Sequence, residues 1–398
     1  MDDSGTFAQD PAELNKVLDL IKVREKIKIS YDPPNRNFVT TFSKNNFFYA
    51  SKNGGILSID IASGNQNTIY KHYSNIDAGL ASDNKHIYFI DNLGYVVAIS
   101  LNGSLEWKSF VGEVFSPPLS IQSSIIIRTS NQKIISLNKF DGSLNWTYQG
   151  TKSPLTLRSW GELNYLNDTL YIGAPSGKLL ALNYEKGTLL WEISYSQPKG
   201  VTDLDRSNDT TSKPLVIDQI IYAISSKGNI SAISSIDGVV LWSRPLSSFV
   251  GMINDAENLF ITHNSGSIYC LNKDTGKVLW RNAELMGRDL SKGLIIGDII
   301  LYTDFEGYLH FINKKNGKII GRTKLSDSLY LNPILLSENS LFISSLEGDI
   351  YNITISIFDD INSESTNSNK DNEQIIKSDN LDNQSSDESI LDSIIFWD

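Results

Sequence analysis

The stretch GSIYCLNKDTGKVLW, from Gly266 to Trp280, is one copy of a pattern that recurs along the chain. Seven copies have an apolar run, a polar turn that ends in glycine and a second strand, which carries a tryptophan in five of them, and the last copy is only the fragment GDIYNIT. The copies open at Gly54, Gly94, Gln132, Gly177, Gly228, Gly266, Gly307 and Gly348. Their turn glycines recur about every 40 residues, which is the period of a four-stranded propeller blade. The sequence therefore predicts an all-β protein built as a large β-propeller of antiparallel blades.

The first strand of each copy predicts burial on both faces. The second residue after the opening position is always Ile, Leu or Val, and the fifth is always Ile or Leu. Positions of opposite parity face opposite sides of a strand. We therefore expect each blade to be packed between two others.

The chain's single cysteine falls in this pattern. The fourth position after the opening residue is mostly small, and Cys270 occupies it where other copies have Ala or Ser. We expect Cys270 to be a small buried side chain rather than a reactive thiol. Five tryptophans stand four residues after a turn glycine, a place that favours packing between blades over ligand stacking: Trp107, Trp146, Trp191, Trp242 and Trp280.

Charge separates the tail from the rest of the chain. The formal net charge is −11, and residues 358–398 hold eleven acidic residues and two lysines. The remainder is nearly neutral, which argues against nucleic-acid binding through a basic patch. The Ser-, Asn- and Asp-rich composition predicts a disordered acidic tail, either a passive solubilising segment or one whose apolar end docks on a partner.

The other terminus predicts a short helix. Asp10, Pro11 and Glu13 resemble a helix start, and Leu14 and Val17 begin a helical spacing that Leu18 and Ile21 continue. The alternating run Lys26–Tyr31 could be a strand that joins the last blade and closes the ring. The expected organisation is an N-terminal segment at 1–25, a propeller at 26–357 and the tail at 358–398.

No pattern for chemistry stands out. The four histidines have no ligand-like spacing, and no nucleotide-binding or catalytic motif is present. A single cysteine excludes an internal disulfide and a cysteine-based metal site. We also find no secretory signal and no stretch long enough to span a membrane. We expect no enzyme activity and neither a cofactor nor a metal.

The informative departures are two insertions. The intervals from Gly142 to Gly187 and from Gly187 to Gly238 are longer than the others. The extra residues include SPLTLRSWGELNYLNDTLYIG from Ser153 and SQPKGVTDLDRSNDTTSKPLV from Ser196. Because the two repeats are adjacent, their loops should lie on neighbouring blades, where a rigid scaffold commonly carries function.

The turn glycine with a tryptophan four residues on resembles the quinoprotein-type propeller repeat. WD40 is a poorer match, because none of the five repeat tryptophans is followed by Asp. Three stretches are similar to the BamB family of outer-membrane assembly propellers: TDLDRSNDTTSKP (Thr202–Pro214), VLWSRPLSSFVG (Val240–Gly251) and FEGYLHFINKKNGKIIGR (Phe305–Arg322). The similarity runs from about Phe47 to Thr354.

This resemblance implies an eight-bladed ring at the periplasmic face of the bacterial outer membrane. It implies a non-catalytic scaffold that binds the POTRA domains of BamA and aids the folding and insertion of outer-membrane proteins. The family carries a signal peptide and a lipid-modified cysteine. This chain begins MDDSG, so we expect a trimmed chain with an added Met1, whose only membrane attachment was that anchor.

The resemblance also implies a binding surface. In the family it uses a Leu-x-Leu-Arg motif in one loop and acidic residues in the next, and here these positions are Leu155, Leu157, Arg158, Asp209 and Thr211. Thr211 departs from the acidic pattern, which would weaken the charged half. The leucines could instead pack against the rim, and Arg158 could form an internal ion pair with Asp209.

Two other functions compete with the scaffold. A quinone-dependent dehydrogenase would use a related ring, although the chain cannot form the adjacent-cysteine disulfide that many such enzymes carry. A periplasmic adaptor would bind unfolded outer-membrane clients through strand edges or the central pore.

Overall fold

The fold is built from short antiparallel strands. The computed structural model describes residues 10–17, 20–30, 40–43, 45–51, 53–114, 116–151, 161, 163–197, 208–328, 330, 333–345 and 347–357. The predicted acidic tail at 358–398 lies outside these residues. The described part forms eight four-stranded sheets, numbered here as blades 1 to 8 in chain order.

The strands of the first half have the following bounds. A first strand, β1 (Ile21–Ser30), precedes blade 1. Blade 1 contains β2 (Thr41–Ser43), β3 (Asn46–Ala50), β4 (Gly55–Asp60) and β5 (Gln66–Lys71). Blade 2 contains β6 (Ile76–Ser82), β7 (His86–Asp91), β8 (Tyr95–Ser100) and β9 (Leu105–Phe110). Blade 3 contains β10 (Leu119–Ile121), β11 (Ser124–Arg128), β12 (Lys133–Asn138) and β13 (Leu144–Gln149). Blade 4 contains β14 (Asn164–Leu166), β15 (Thr169–Ala174), β16 (Lys178–Asn183) and β17 (Leu189–Ser194), with a 3-10 turn at Pro175–Gly177.

The second half repeats this plan. Blade 5 contains β18 (Leu215–Ile217), β19 (Ile220–Ile224), β20 (Ile230–Ser234) and β21 (Val240–Arg244). Blade 6 contains β22 (Met252–Asn254), β23 (Asn258–Thr262), β24 (Ile268–Asn272) and β25 (Val278–Asn282). Blade 7 contains β26 (Leu294–Ile296), β27 (Ile299–Thr303), β28 (Tyr308–Asn313) and β29 (Ile319–Lys324). Blade 8 contains β30 (Ile334–Ser337), β31 (Ser340–Ser344) and β32 (Asp349–Ile357).

The first strand meets the last strand in blade 8, as the sequence predicted. Its strand order is β1-β32-β31-β30, so the N-terminal strand supplies the fourth strand of the last blade. Every other blade is a simple up-and-down meander. In such a meander the turn between strands 2 and 3 shares one face of the ring with the connection to the next blade. We call this face the loop face.

The predicted N-terminal helix is wrong over the residues that the structure describes. Residues 10–17 are not helical, and Ile21 already belongs to β1. The main-chain groups of this segment bond to the propeller instead of to one another. The amide of Ala12 donates to the carbonyl of Met286 at 2.9 Å, and the guanidinium of Arg322 donates to the carbonyl of Asn15 at 2.8 Å. Leu14 packs against the core between blades 6 and 7. The apolar spacing that predicted a helix therefore belongs to a non-helical segment that packs on the propeller.

The two apolar positions of each repeat are buried throughout. Those at the second place are Ile56, Val96, Ile134, Leu179, Ile230, Ile268, Leu309 and Ile350. Those at the fifth place are Ile59, Ile99, Leu137, Leu182, Ile233, Leu271, Ile312 and Ile353. None is more than 3% exposed, so each blade buries both faces against its neighbours.

The repeat tryptophans join neighbouring blades, which confirms the packing prediction. Trp242 lies in blade 5, and its indole N–H donates to the carbonyl of Lys273 in blade 6 at 2.9 Å. The same ring lies over the next turn glycine, where a Cβ on Gly276 would sit 2.6 Å from the ring carbon Cε3. The equivalent indoles donate in the same way, from Trp107 to Lys139, Trp146 to Tyr184, Trp191 to Ser235 and Trp280 to Lys314.

The register of the strands explains the small residue at the fourth place. Cys270 lies directly opposite Trp280 in the adjacent strand and is 1% exposed, so the indole leaves room for only a small side chain. Burial raises the pKa of the Cys270 thiol to about 12 and keeps it neutral. In blade 7 the arrangement is inverted. The tryptophan position is Gly321, and the opposite residue is the fully buried Phe311.

Candidate partner-binding site

The two inserted loops begin and end on the loop face. The first joins β13 to β14 and the second joins β17 to β18, so each is a connection into the next blade. Most residues of both insertions, at 152–160, 162 and 198–207, lie outside the described part of the chain. Leu155, Leu157 and Arg158 are among them. The structure does describe the points where both loops return to the propeller.

These return points touch one another. A Cβ on Gly173 would lie 2.3 Å from Cγ2 of Thr210, and a Cβ on Gly161 would lie 2.8 Å from the Thr210 carbonyl oxygen. Only glycine permits so close an approach of main chain. Gly161 follows the first loop directly, and Thr210 follows the second by three residues. The two insertions therefore return to the ring side by side on neighbouring blades, as the repeat intervals predicted.

Asp209 lies inside this junction. It is 2% exposed, and one carboxylate oxygen accepts a hydrogen bond from the amide of Ser176 at 3.0 Å. Ser176 holds the left-handed conformation, with φ of 59°, in the turn between β15 and β16. The Asp209 carbonyl also accepts from the amide of Ser226 at 2.9 Å, in the equivalent turn of blade 5. Asp209 thus ties the root of the second loop to turns of two blades.

The neighbouring polar side chains complete the brace. The hydroxyls of Tyr195 and Thr210 are 2.6 Å apart and buried, and burial raises the Tyr195 pKa above its ordinary value. The Asn208 amide donates to the hydroxyl of Ser196 at 2.9 Å. This network fixes residues 208–210, so the preceding loop leaves the ring from a rigid base.

Thr211 faces the next blade. Its hydroxyl donates to the carbonyl of Phe249 at 3.0 Å, in the connection between blades 5 and 6. Phe249 and Val250 are 42% and 38% exposed, and they extend the junction with apolar surface. The sequence analysis did not select them as site residues. An apolar pair within a connection, in the stretch SSFVG, was the available signal.

Arg128 is a second residue that the sequence analysis missed. It ends β11 and is 7% exposed, and its guanidinium donates to the carbonyl of Gly173 at 2.7 Å and to that of Gly161 at 3.3 Å. It therefore braces the return of the first loop. A charged residue at the end of the apolar run SIIIR was the signal that could have identified it.

Buried acids elsewhere serve turns. Asp304 accepts the amides of Glu306 and Tyr308 at 3.0 and 2.9 Å, and its other oxygen pairs with Arg288 and with His310. Burial alone would raise the Asp304 pKa, but the hydrogen bonds from His310, Tyr308 and Arg288 outweigh it and hold the pKa below its ordinary value. Asp91 in blade 2 repeats this arrangement with His72. Both carboxylates are committed to structure.

Among the described residues, no group of three or more His, Cys, Asp or Glu side chains could hold a metal ion. No helix in the described part of the chain is long and apolar enough to cross a membrane.

Fold and site together define an eight-bladed propeller of the quinoprotein-type repeat, with a rigid platform for two adjacent loops on one face. The chain belongs to the BamB family. The family model described as "Outer membrane protein assembly factor BamB" matches residues 52–282. A relative of that name from Burkholderia pseudomallei is 30% identical over 306 residues, 76% of this chain and 80% of the relative. One from Yersinia pestis is 28% identical over 285 residues, 71% of this chain and 72% of the relative.

Solved structures agree on the fold. BamB from Moraxella catarrhalis superposes with a TM-score of 0.75 at 22% identity, over 84% of this chain and all of that one. Quinohemoprotein alcohol dehydrogenase from Comamonas testosteroni superposes with a TM-score of 0.65 at 9% identity, over 83% of this chain and 76% of that one. At such identities both likenesses concern the ring architecture alone, so the second does not favour the dehydrogenase alternative.

Proposed function

We propose that the chain is a non-catalytic scaffold subunit of the outer-membrane β-barrel assembly complex, which binds the POTRA domains of BamA at the periplasmic face of the membrane. Membership of the BamB family supports the complex. The observation that supports the binding surface is the contact of Gly161 with Thr210, which are the points where the two family-specific loops return to the ring. Membrane attachment would come only through the family's N-terminal lipid anchor.

The residues of the proposed surface have different roles. Leu155 and Leu157 supply an apolar anchor, and Arg158 supplies directional donors to a partner carboxylate or carbonyl. Asp209 acts from inside, because its carboxylate holds the Ser176 turn rather than facing solvent. Thr211 links the junction to the exposed Phe249, which would extend the apolar part of the surface.

Leu157→Glu is expected to weaken binding of the purified POTRA domains of BamA at least tenfold, about 1.4 kcal/mol, in a calorimetric titration. A charge placed in an apolar anchor loses contact area and must be desolvated. The unfolding midpoint should barely change, because loop substitutions outside the core have small effects on stability.

The matched control is Leu279→Glu. Leu279 is 51% exposed and lies early in β25, next to the hairpin turn on the face opposite the loops. It should leave the affinity unchanged. If wild type and Leu157→Glu bound the POTRA domains with equal affinity, this leucine would not belong to the binding surface. If the folded wild type did not bind the POTRA domains, they would be excluded as its partner.

One observation favours client binding as a second function. The fourth strands of blades 4, 5 and 6 expose an apolar residue at one place, Leu190, Leu241 and Leu279, each about half exposed. Outer strands with apolar side chains are natural places for an unfolded chain to pair. Unfolded outer-membrane clients that bind without POTRA domains, and less well after Leu241→Glu, would support this activity.

A further inference from the structure

Blade 3 departs from the repeat at two places. The residue of the second strand that pairs with the buried second position of each repeat is uncharged in the other blades: Ala50, Ile90, Gly173, Ile224, Thr262, Thr303 and Ser344. Blade 3 has Arg128 there, opposite Ile134. The turn that follows has glycine in every other blade, but blade 3 has Gln132 with φ of 65°. A left-handed conformation is unfavourable for a residue with a side chain, so this glutamine needs a compensating role.

The two unusual residues bind each other. Arg128 Nη2 donates to the Gln132 side-chain oxygen at 2.7 Å, and Nη1 donates to the carbonyls of Gly161 and Gly173. These bonds use three of the five N–H donors of a guanidinium. All three acceptors are uncharged. The remaining two donors have no acceptor among the described residues.

The charge of Arg128 is incompletely balanced. Within the described part of the chain, no carboxylate forms an ion pair with it. Asp209 acts on Arg128 only through its field, and its carboxylate already accepts the Ser176 amide. Burial lowers the Arg128 pKa to about 10 against the opposing effect of Asp209, so the side chain stays charged at neutral pH. A buried cation of this kind gains most from a directly bound anion.

Arg128 and Gln132 border a cavity of about 170 Å³ between blades 3 and 4, which we call the blade 3–4 pocket. One wall is apolar and contains Ile134, Ile172 and Leu180. Another holds both Lys178 and Glu192, whose ammonium and carboxylate groups pair at 2.6 Å and so balance each other's charge, which leaves Arg128 as the unbalanced charge of the lining. The pocket thus combines a buried cation with an apolar lining, which suits a carboxylate on a short aliphatic stem.

We infer that the blade 3–4 pocket receives the carboxylate of an aspartate or glutamate side chain presented by a protein partner, with Arg128 as its ion-pair partner. A protein source fits the location, because the pocket includes Thr151 and Arg128 contacts Gly161, the residues on either side of segment 152–160. The pocket therefore lies beside the points where this segment leaves and rejoins the described chain. That the partner is the BamA POTRA domains rests on the proposed function.

Gln132→Glu tests the pocket while it keeps a hydrogen-bond acceptor for Arg128. The new carboxylate would take the place of the amide oxygen that already accepts from Arg128 at 2.7 Å, and it would neutralise the cation within the chain. The fold should therefore be retained while an incoming carboxylate loses its partner. Gln149→Glu is the matched control. It adds the same charge on an exposed side chain of the same blade, whose amide contacts the carbonyls of Asn131 and Gly150.

The probe is acetyl-glutamate amide, followed by NMR of the Arg128 Nε–H signal in arginine-labelled protein, with Arg128→Lys to assign that signal. Acetyl-glutamate amide should shift the signal saturably in wild type and in Gln149→Glu, and acetyl-glutamine amide should not. The shift should disappear in Gln132→Glu. A signal that never shifts, or that shifts equally in Gln132→Glu, would overturn the proposal that the pocket binds a carboxylate.

A titration with POTRA domains tests the partner separately. Gln132→Glu should weaken binding at least about fivefold, and Gln149→Glu should stay within about twofold of wild type. Equal affinities for wild type and Gln132→Glu would overturn the assignment of this partner to the pocket. If the wild type does not bind the POTRA domains, the proposed function fails, and the glutamate probe still decides whether the pocket exists.

Discussion

Asp304→Asn is expected to lower the free energy of unfolding by about 3 to 5 kcal/mol. Asp304 is fully buried, and the same carboxylate oxygen accepts from Arg288 at 2.6 Å and from His310 at 2.8 Å. An asparagine can keep the two turn amides on its carbonyl oxygen. Its amide nitrogen would then face two donors, and the buried guanidinium would lose its buried counterion.

The loss should spread to the N-terminal segment, because Arg288 also donates to the Ala12 carbonyl at 3.2 Å. Chemical denaturation followed by tryptophan fluorescence measures the effect, and hydrogen exchange at Ala12 reports the segment. Asp298→Asn is the control, since Asp298 is 67% exposed and its pair with Lys315 spans 3.5 Å. Exposed pairs contribute at most about 1 kcal/mol. Equal losses for the two variants would contradict the buried network.

Gly276→Ala is expected to destabilise the ring by about 2 to 5 kcal/mol for two additive reasons. The residue has φ of 65°, which costs a non-glycine residue about 1 to 2 kcal/mol. The added Cβ would also lie 2.6 Å from the Trp242 ring, and overpacking of this kind costs about 1 to 3 kcal/mol. Denaturant midpoints of the variant and the wild type give the difference.

Gly297→Ala separates the two reasons. Gly297 has a similar φ of 57°, but a Cβ there would meet nothing within 4 Å. Its loss should therefore stay near the conformational part alone, about 1 to 2 kcal/mol. If Gly276→Ala cost no more than Gly297→Ala, the tryptophan would not clamp the turn of the next blade.

The fold was predictable where one residue's environment repeats. Cys270 could be assigned to the core because Ala and Ser fill the same place in other copies, and the structure shows why, with Trp280 directly opposite. The side-by-side return of the two loops to the ring was predictable from the adjacent long intervals. Both inferences need only the positions of equivalent residues in the repeats. Successive repeats form neighbouring blades, so these positions predict which residues lie close together.

The sequence could not reveal contacts between copies. The spacing of Leu14 and Val17 suits a helix, yet the carbonyls of that segment are held by arginines about 280 residues or more away in the chain. The burial of Asp209 depends on the turn of another blade and carries no local signal. Arg128 and Gln132 were visible as departures from the repeat. Their hydrogen bond and the cavity beside them required coordinates.

The central claim is that the loop face binds BamA. The most direct measurement is photo-crosslinking of the purified chain, with a benzoylphenylalanine placed at Leu157 in one variant and at Leu279 in another, to purified POTRA domains. The account predicts a crosslinked product from position 157 and none from position 279, which lies at the opposite face. Crosslinking from position 279 alone would contradict it.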